Sequence, residues 1–295
     1  MEIMTIRHNN RQESAIITAN RVYPLQAINE CCMTDWPLTI DRILKEERMT
    51  ELTRWYADQT ARIWEGIPSE DLEHIETGSL FESPATIWGI GFNYQPTGEP
   101  MPAERANHPV SFVKPWNTVT PVNGPILVPN GSESTTGEGE IACIIGKPGK
   151  NLTVQEARHC IAGYTAALDM TESGIHKEHP RFLARAKSFD TFCAIGPTLT
   201  SADSFYTEDI TVQTILNGEV SAENHTGRML MNIPEIVAYF SQGTTLNPGD
   251  IILTGTPGPV KIRPGDTLAV HVDGLRPPDQ IGFRRMIRYN VMAIS

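Results

Sequence analysis

The pattern of apolar and polar positions divides the chain into an N-terminal stretch of helical periodicity and a longer stretch of short apolar runs broken by turns. Ala15 to Ile28, with Tyr23-Pro24 inside it, has the composition of one or two strands. Between Thr39 and Gly66 the residues Ile40, Ile43, Leu44, Leu52, Trp55, Tyr56 and Ile63 recur at helical steps. They predict an amphipathic pair of helices covering a sheet. Glu65 to Pro84 is acidic and rich in Gly, Ser and Pro, and reads as a linker.

Beyond the linker, short strands are predicted at Thr86–Phe92, Val110–Lys114 and Pro125–Val128, the last after an Asn123-Gly124 turn. A longer strand follows at Gly137–Gly146. Thr153 and Glu156 have capping-box spacing before a helix through His159, and the apolar run Ile161–Leu168 ends at Asp169. Glu172 to Phe182 is polar and reads as a loop. Asn217-Gly218 signals a hairpin after Thr211–Leu216, and Pro234 opens a helix through Phe240. Two Pro-Gly-Asp turns, ending at Asp250 and Asp266, each launch a strand. The sum is a strand-rich α+β fold, with a small α/β module over residues 1–80 and a larger domain over 81–295.

Composition narrows the function classes. A formal net charge of −11 disfavours a nucleic-acid partner, which requires clustered Lys and Arg. No apolar run approaches the roughly 20 residues that span a bilayer, and the N-terminus lacks the apolar centre of a signal peptide. The expectation is a soluble, cytoplasmic protein without a membrane partner. Cys31, Cys32, Cys143, Cys160 and Cys193 are odd in number and include no C-x-x-C pair, which argues against a disulfide framework and a thiolate zinc site. The sequons at Asn130, Asn151 and Asn224 carry no weight without a secretory signal.

The candidate chemistry centres on Gly137-Glu138-Gly139-Glu140. In a strand both glutamates project to one face, while Ile141, Cys143 and Ile145 share the other. Like charges on one face repel, so the pair belongs either on a solvated face or around a cation. With Asp169 it makes an all-oxygen set suited to a hard cation such as Mg²⁺, Mn²⁺ or Ca²⁺. His176 and His179 lie in a polar stretch and read as solvated rather than as a zinc pair. Gly89-x-Gly91 is half of a dinucleotide fingerprint with Tyr94 in place of its third glycine, and no serine-hydrolase elbow, zincin helix or Walker loop is present.

Several short motifs, taken in order, resemble the fumarylacetoacetate hydrolase superfamily from Ile87 to Leu275. They are Gly91-Phe92-Asn93-Tyr94, Phe112-x-Lys114-Pro115, Glu138-x-Glu140, Ala162-Gly163-Tyr164-Thr165 leading to Asp169-x-Thr171, Ala186-Lys187-Ser188-Phe189-Asp190, Asn217-Gly218-Glu219 and Thr254-Gly255-Thr256-Pro257. The resemblance implies a mixed β-roll or sandwich catalytic domain, usually in a homodimer, with a divalent metal held by Glu138, Glu140 and Asp169. It also implies a small-molecule 2-oxo or 1,3-dicarbonyl acid substrate, cleaved, decarboxylated, hydrated or tautomerised. Lys187 would then stabilise negative oxygen, Gly255 and Thr256 would face the substrate, and Tyr94 and Lys114 would have either substrate-binding or structural roles.

Departures from the family pattern shape the expected reaction. Hydrolytic members carry a histidine where this chain has Thr97 and a glutamate where it has Pro100, with Glu99 one residue early. A threonine is no general base near neutral pH. Ser173-Gly174 replaces an arginine-aspartate pair, and His176 stands near the place of a glutamine. Decarboxylation or keto–enol isomerisation therefore ranks above C–C hydrolysis, with Glu99, His108 or His176 as substitute bases. A non-catalytic metal-binding relative is the other alternative.

Overall fold

The computed structural model of the chain describes residues 1–8, 11–82, 85–102, 108–275 and 287–294. It opens with three antiparallel strands, β1 (Glu2–His8), β2 (Arg11–Thr18) and β3 (Arg21–Pro24). Strand character ends at Pro24 rather than Ile28, because helix α1 (Leu25–Cys32) begins at once and buries Leu25 and Ile28. The amphipathic stretch forms three helices rather than two, α2 (Ile40–Lys45), α3 (Met49–Ala57) and α4 (Ala61–Glu65). Thr39 caps α2 by accepting the Arg42 N–H, and Glu47, with φ at 55°, turns the chain between α2 and α3. Part of the linker is ordered, as β4 (Glu70–Asp71) on β3 and a 3₁₀ turn at Leu72–His74. Its predicted end, Pro84, lies outside the described residues.

The longer part contains β5 (Ile87–Gly91), β6 (Val110–Lys114), β7 (Pro125–Val128), β8 (Thr135–Ile145), α5 (Val154–Cys160) and β9 (Ile161–Glu172). After these come α6 (Ser173–Glu178), α7 (Leu183–Ala186), β10 (Cys193–Ile195), β11 (Thr198–Ser201), β12 (Thr211–Leu216) and β13 (Glu219–His225). The last elements are α8 (Ile233–Phe240), β14 (Ile251–Leu253), β15 (Val260–Lys261), β16 (Thr267–Val272) and β17 (Ile287–Ala293). The predicted turns form as expected. Asn217 and Gly218 both have positive φ, as a tight hairpin requires, and Thr153–Glu156 is a complete capping box.

Two stretches depart from expectation. Glu172–Phe182 is not a loop, because the Glu172 carboxylate accepts the Gly174 N–H and starts helix α6. Asp169 lies inside β9 rather than at the end of an element, with Thr171 and Glu172 still in the strand beyond it. The strand continues because every residue from Thr135 to Ala142 of β8 pairs with it.

Among the described residues the strands form two mixed sheets. The twelve-stranded sheet runs β4-β3-β2-β1-β11-β9-β8-β14-β5-β6, with β10 on β9 and β15 on β8, and the five-stranded sheet runs β13-β12-β16-β17-β7. Most neighbours are antiparallel, while β14–β5 and β17–β7 are parallel. The N-terminal strands continue the same sheet that carries the glutamates, since β1 pairs with β11.

Strand β8 is covered on both faces, which accounts for its unbroken apolar run. Ile141, Cys143 and Ile145 pack with Leu268 and Val270 of the second sheet. Ala142 and Ile144 belong to one buried apolar cluster with Ile40, Ile43 and Leu52 of the N-terminal helices. The repeat Gly137-Glu138-Gly139-Glu140 follows the same two faces. A Cβ on Gly137 would stand 2.3 Å from Leu268, and one on Gly139 would stand 2.8 Å from Thr214 Oγ1. Glycine at both positions lets the second sheet approach β8, and the glutamates turn to the opposite face.

Candidate metal centre

Register brings the third carboxylate to the other two. Asp169 sits directly across from Glu138 in the β8–β9 ladder and shares its face, and Glu140 is two residues further along that face. Their ligand oxygens all lie within 4.8 Å of one another. Asp169 is fully buried and Glu140 is 2% exposed.

The open edge of β8 supplies the next contact. Strand β14 pairs with β8 only as far as Leu253 opposite Ala142, and β15 resumes at Val260 opposite Gly137. The loop between them leaves the edge at Glu140. Thr254 donates its N–H and its hydroxyl to the Ile141 carbonyl, and the Gly255 N–H donates to Glu140 Oε2 at 2.7 Å. Gly255 has φ of 97°, and a Cβ there would meet Asn93 Cβ at 2.8 Å. Asn93 ties the loop down: its amide donates to the carbonyls of Thr254 and Met231, and its Oδ1 accepts the Met231 N–H.

Two lysines face the carboxylates. Lys187 Nζ donates to Glu138 Oε2 at 3.0 Å, to Asp169 Oδ2 at 2.5 Å and to Thr171 Oγ1 at 2.7 Å. It also lies 4.5 Å above the centre of the Phe112 ring, a cation–π contact. Lys114 Nζ donates to Asp169 Oδ1 at 2.6 Å, to the Lys187 carbonyl at 2.7 Å and to the Met170 carbonyl at 3.3 Å.

The charges explain which groups stay ionised. Burial pushes Asp169 up, but Lys114 and Lys187 outweigh it and hold the carboxyl below its usual range. Burial opposes charge on Lys187, yet Asp169 and Glu138 raise it above an ordinary lysine. Among the described residues no lysine hydrogen-bonds or ion-pairs with Glu140. Burial first, then the neighbouring charges of Asp169 and Glu138, push it well above the usual carboxylate value. With Glu140 deprotonated, three carboxylates against two ammoniums leave one negative charge, which a dication bound there would offset.

The residues fit such a cation. The donor set is all oxygen, as Mg²⁺, Mn²⁺ and Ca²⁺ require. The Gly255 N–H engages Oε2 of Glu140 and Lys187 engages Oε2 of Glu138, which leaves Oε1 of each for a ligand role.

The other expected residues are placed as follows. Tyr94 is 8% exposed, and its hydroxyl has no hydrogen-bond partner among the described residues. Burial and nearby Glu140 raise its pKa, so it is a neutral donor. Gly255 and half-buried Thr256 adjoin Glu140, and the Thr256 hydroxyl accepts the Gly258 N–H. Glu99 is exposed and accepts from Gln95 Nε2, and its loop is fastened by Arg228, which donates to the carbonyls of Gln95, Pro96 and Glu99. His108 is exposed and His176 is half-buried on α6. Among the described residues no hydrogen bond or ion pair joins Glu99, His108 or His176 to the carboxylate–lysine group. The five cysteines are free, and burial pushes the Cys193 thiol up to about 12.

Sequence reasoning gave no role to Phe112, Asn93 or Thr171. Glycine inside the β5 strand was the available signal for Phe112, since a Cβ on Gly89 would stand 2.2 Å from that ring.

The family model described as fumarylacetoacetate (FAA) hydrolase C-terminal matches residues 86–282. The chain belongs to the fumarylacetoacetate hydrolase family. Among its relatives is the mitochondrial oxaloacetate tautomerase of Xenopus laevis, 31% identical over 207 residues, covering 65% of this chain and 64% of that protein. The Escherichia coli bifunctional isomerase/decarboxylase of 4-hydroxyphenylacetate degradation is 31% identical over 192 residues, covering 64% of this chain and 45% of that one. The fold matches a crystal structure of maleylpyruvate hydrolase from a Sphingobium species in complex with manganese(II) and pyruvate. That match has a TM-score of 0.76 at 22% identity, over 99% of each chain. Among the described residues of this chain no helix is long and apolar enough to cross a membrane.

Proposed function

We propose that this family member is a divalent-metal-dependent decarboxylase or keto–enol tautomerase of a small 2-oxo or β-keto acid. The observation that carries the reading is the convergence of Glu138, Glu140 and Asp169 with charged Lys187 at their edge. Mg²⁺ or Mn²⁺ held by the three carboxylates supplies the Lewis acidity that favours the enolate of a 2-oxo acid.

The chain's own groups do the remainder. Lys187 keeps an ammonium beside the oxygens on which negative charge develops. Tyr94 offers a neutral hydroxyl from a dry position, and Gly255 and Thr256 form the wall next to Glu140. Hydrolysis ranks second, because it needs an activated water. Thr97 replaces the family histidine, the Glu99 carboxylate is engaged by Gln95, and Arg228 fastens their loop. The tautomerase and isomerase/decarboxylase relatives support the same ordering. His176 is the substitute base we retain, since α6 is joined to β8 by the Ser173–Thr136 hydroxyl contact. A cytoplasmic homodimer completes the proposal.

Incubation of the metal-loaded protein with a panel of 2-oxo acids, followed by NMR, identifies the bond changed. Loss of carboxylate or enol–keto conversion supports the reading. Rapid cleavage of acylpyruvates with oxaloacetate-like acids untouched would reverse the ranking, and metal binding without any turnover would favour a non-catalytic relative.

A further inference from the structure

The FxK motif buries Lys114 against Asp169. Its side chain is completely buried, and its three N–H groups go to Asp169 Oδ1, the Met170 carbonyl and the Lys187 carbonyl. An ammonium has three donors, so none is left for a substrate carboxylate. Two of the partners belong to the site from different directions. Asp169 is a metal ligand on β9, and the Lys187 carbonyl lies just after α7 on the segment that carries the Lys187 side chain. Asp169 is therefore gripped on both oxygens, by Lys114 on Oδ1 and Lys187 on Oδ2.

We infer that Lys114 is a positioning residue, which fixes the Asp169 carboxylate and the Lys187 main chain relative to each other and touches no substrate. The inference rests on the metal-binding reading of Glu138, Glu140 and Asp169. A buried amine suits this task because it reaches Asp169, the Met170 carbonyl and the Lys187 carbonyl in three directions at once. A substrate-contacting lysine would need an exposed donor, which this residue lacks.

The test compares Lys114→Met with the wild type, using Mn²⁺ titration of metal-free protein and oxalate titration of Mn²⁺-saturated protein. Mn²⁺ affinity is expected to fall about 10- to 100-fold, the usual effect of losing a partner that orients a ligand, while oxalate affinity at saturating Mn²⁺ changes less than about threefold. Unchanged Mn²⁺ affinity with oxalate binding weakened tenfold or more would make Lys114 a substrate contact and overturn the inference. No change in either would overturn it as well. A third arm is read without metal: urea unfolding of Lys114→Met, Asp169→Asn and the double variant. The double variant is expected to be more stable than Lys114→Met alone, because it no longer buries a carboxylate whose Oδ1 has lost its ammonium partner while Lys187 holds only Oδ2. This arm also decides the matter if Lys114→Met fails to fold, since a double variant that does not refold contradicts a lesion centred on Asp169. If wild-type protein binds no Mn²⁺, the proposed function fails, while the Lys114–Asp169 coupling is still measured.

Discussion

Gly89→Ala tests whether the Phe112 ring is the fixed support of Lys187. Gly89 lies opposite Phe112 in the β5–β6 ladder, and an added Cβ would stand 2.2 Å from Phe112 Cζ and 2.3 Å from Cε2. Carbon atoms rest in contact near 3.5 Å, so the ring must retreat by about 1.3 Å or the two strands must part. Phe112 is 7% exposed and lies beneath the Lys187 ammonium, so the retreat disturbs that contact as well. Overpacking of this kind costs about 1–3 kcal/mol, and a displacement near 1 Å at a catalytic group costs about 100-fold in rate. Urea denaturation is expected to show the stability loss, and turnover at saturating metal and substrate is expected to fall 10- to 100-fold. Mn²⁺ affinity should change little, because β8 and β9 carry the proposed ligands and neither holds Gly89. A variant with wild-type midpoint and turnover would refute the claim that the ring is confined and that it supports Lys187.

Further expectations concern neighbouring groups. Lys187→Met should lower kcat by about 100- to 1000-fold, the range for removing one preorganised donor from developing charge, in a steady-state assay on whichever 2-oxo acid turns over. Asn93→Ala leaves the Met231 and Thr254 groups without their buried partner and should cost about 2–4 kcal/mol in urea unfolding, with the Gly255 loop the first segment to lose amide protection. Glu140 has a folded-state pKa raised above its unfolded value, so the metal-free fold binds the extra proton and loses stability as pH rises from the ordinary carboxylate value toward the raised one. Glu140→Gln should therefore stabilise the metal-free protein increasingly as pH rises above the ordinary carboxylate value, and added Mn²⁺ should reverse the order by stabilising only the wild type. Asp169 is lowered and works in the opposite sense, its contribution being lost as pH falls below the ordinary carboxylate value. Mn²⁺ at about 100 times its Kd should stabilise the wild type by about 2.7 kcal/mol in thermal scans, and a chelator should remove the gain.

The face shared by Glu138 and Glu140 was legible in the sequence because a two-residue period is a local property. The same holds for the capping box at Thr153, the Asn217-Gly218 hairpin and the Pro-Gly-Asp turns, each set by residues a few positions apart. Asp169 was recognisable as a third acid, but not as the cross-strand partner of Glu138, since register depends on two strands at once. Strand β1 escaped notice because β11, one of its partners, is about 200 residues away. Helix α6 escaped because its cap, Glu172, is held by Ser132, Ser134 and Thr135 from before β9. Lys114 shows the limit most clearly. Its motif left substrate-binding and structural roles both open, and only the fold brings Asp169 and the Lys187 carbonyl to its amine.

The central claim is that the carboxylate–lysine group promotes enolate formation from a 2-oxo acid. Proton exchange at the carbon next to the keto group measures this step directly, whatever product follows. In D₂O, with oxaloacetate and pyruvate as probes and Mg²⁺ or Mn²⁺ present, the account predicts deuterium uptake at C3 well above the metal-only rate, abolished in Glu140→Ala and strongly reduced in Lys187→Met. Uptake no faster than with metal alone, from a protein shown by titration to hold the metal and the acid, would contradict it.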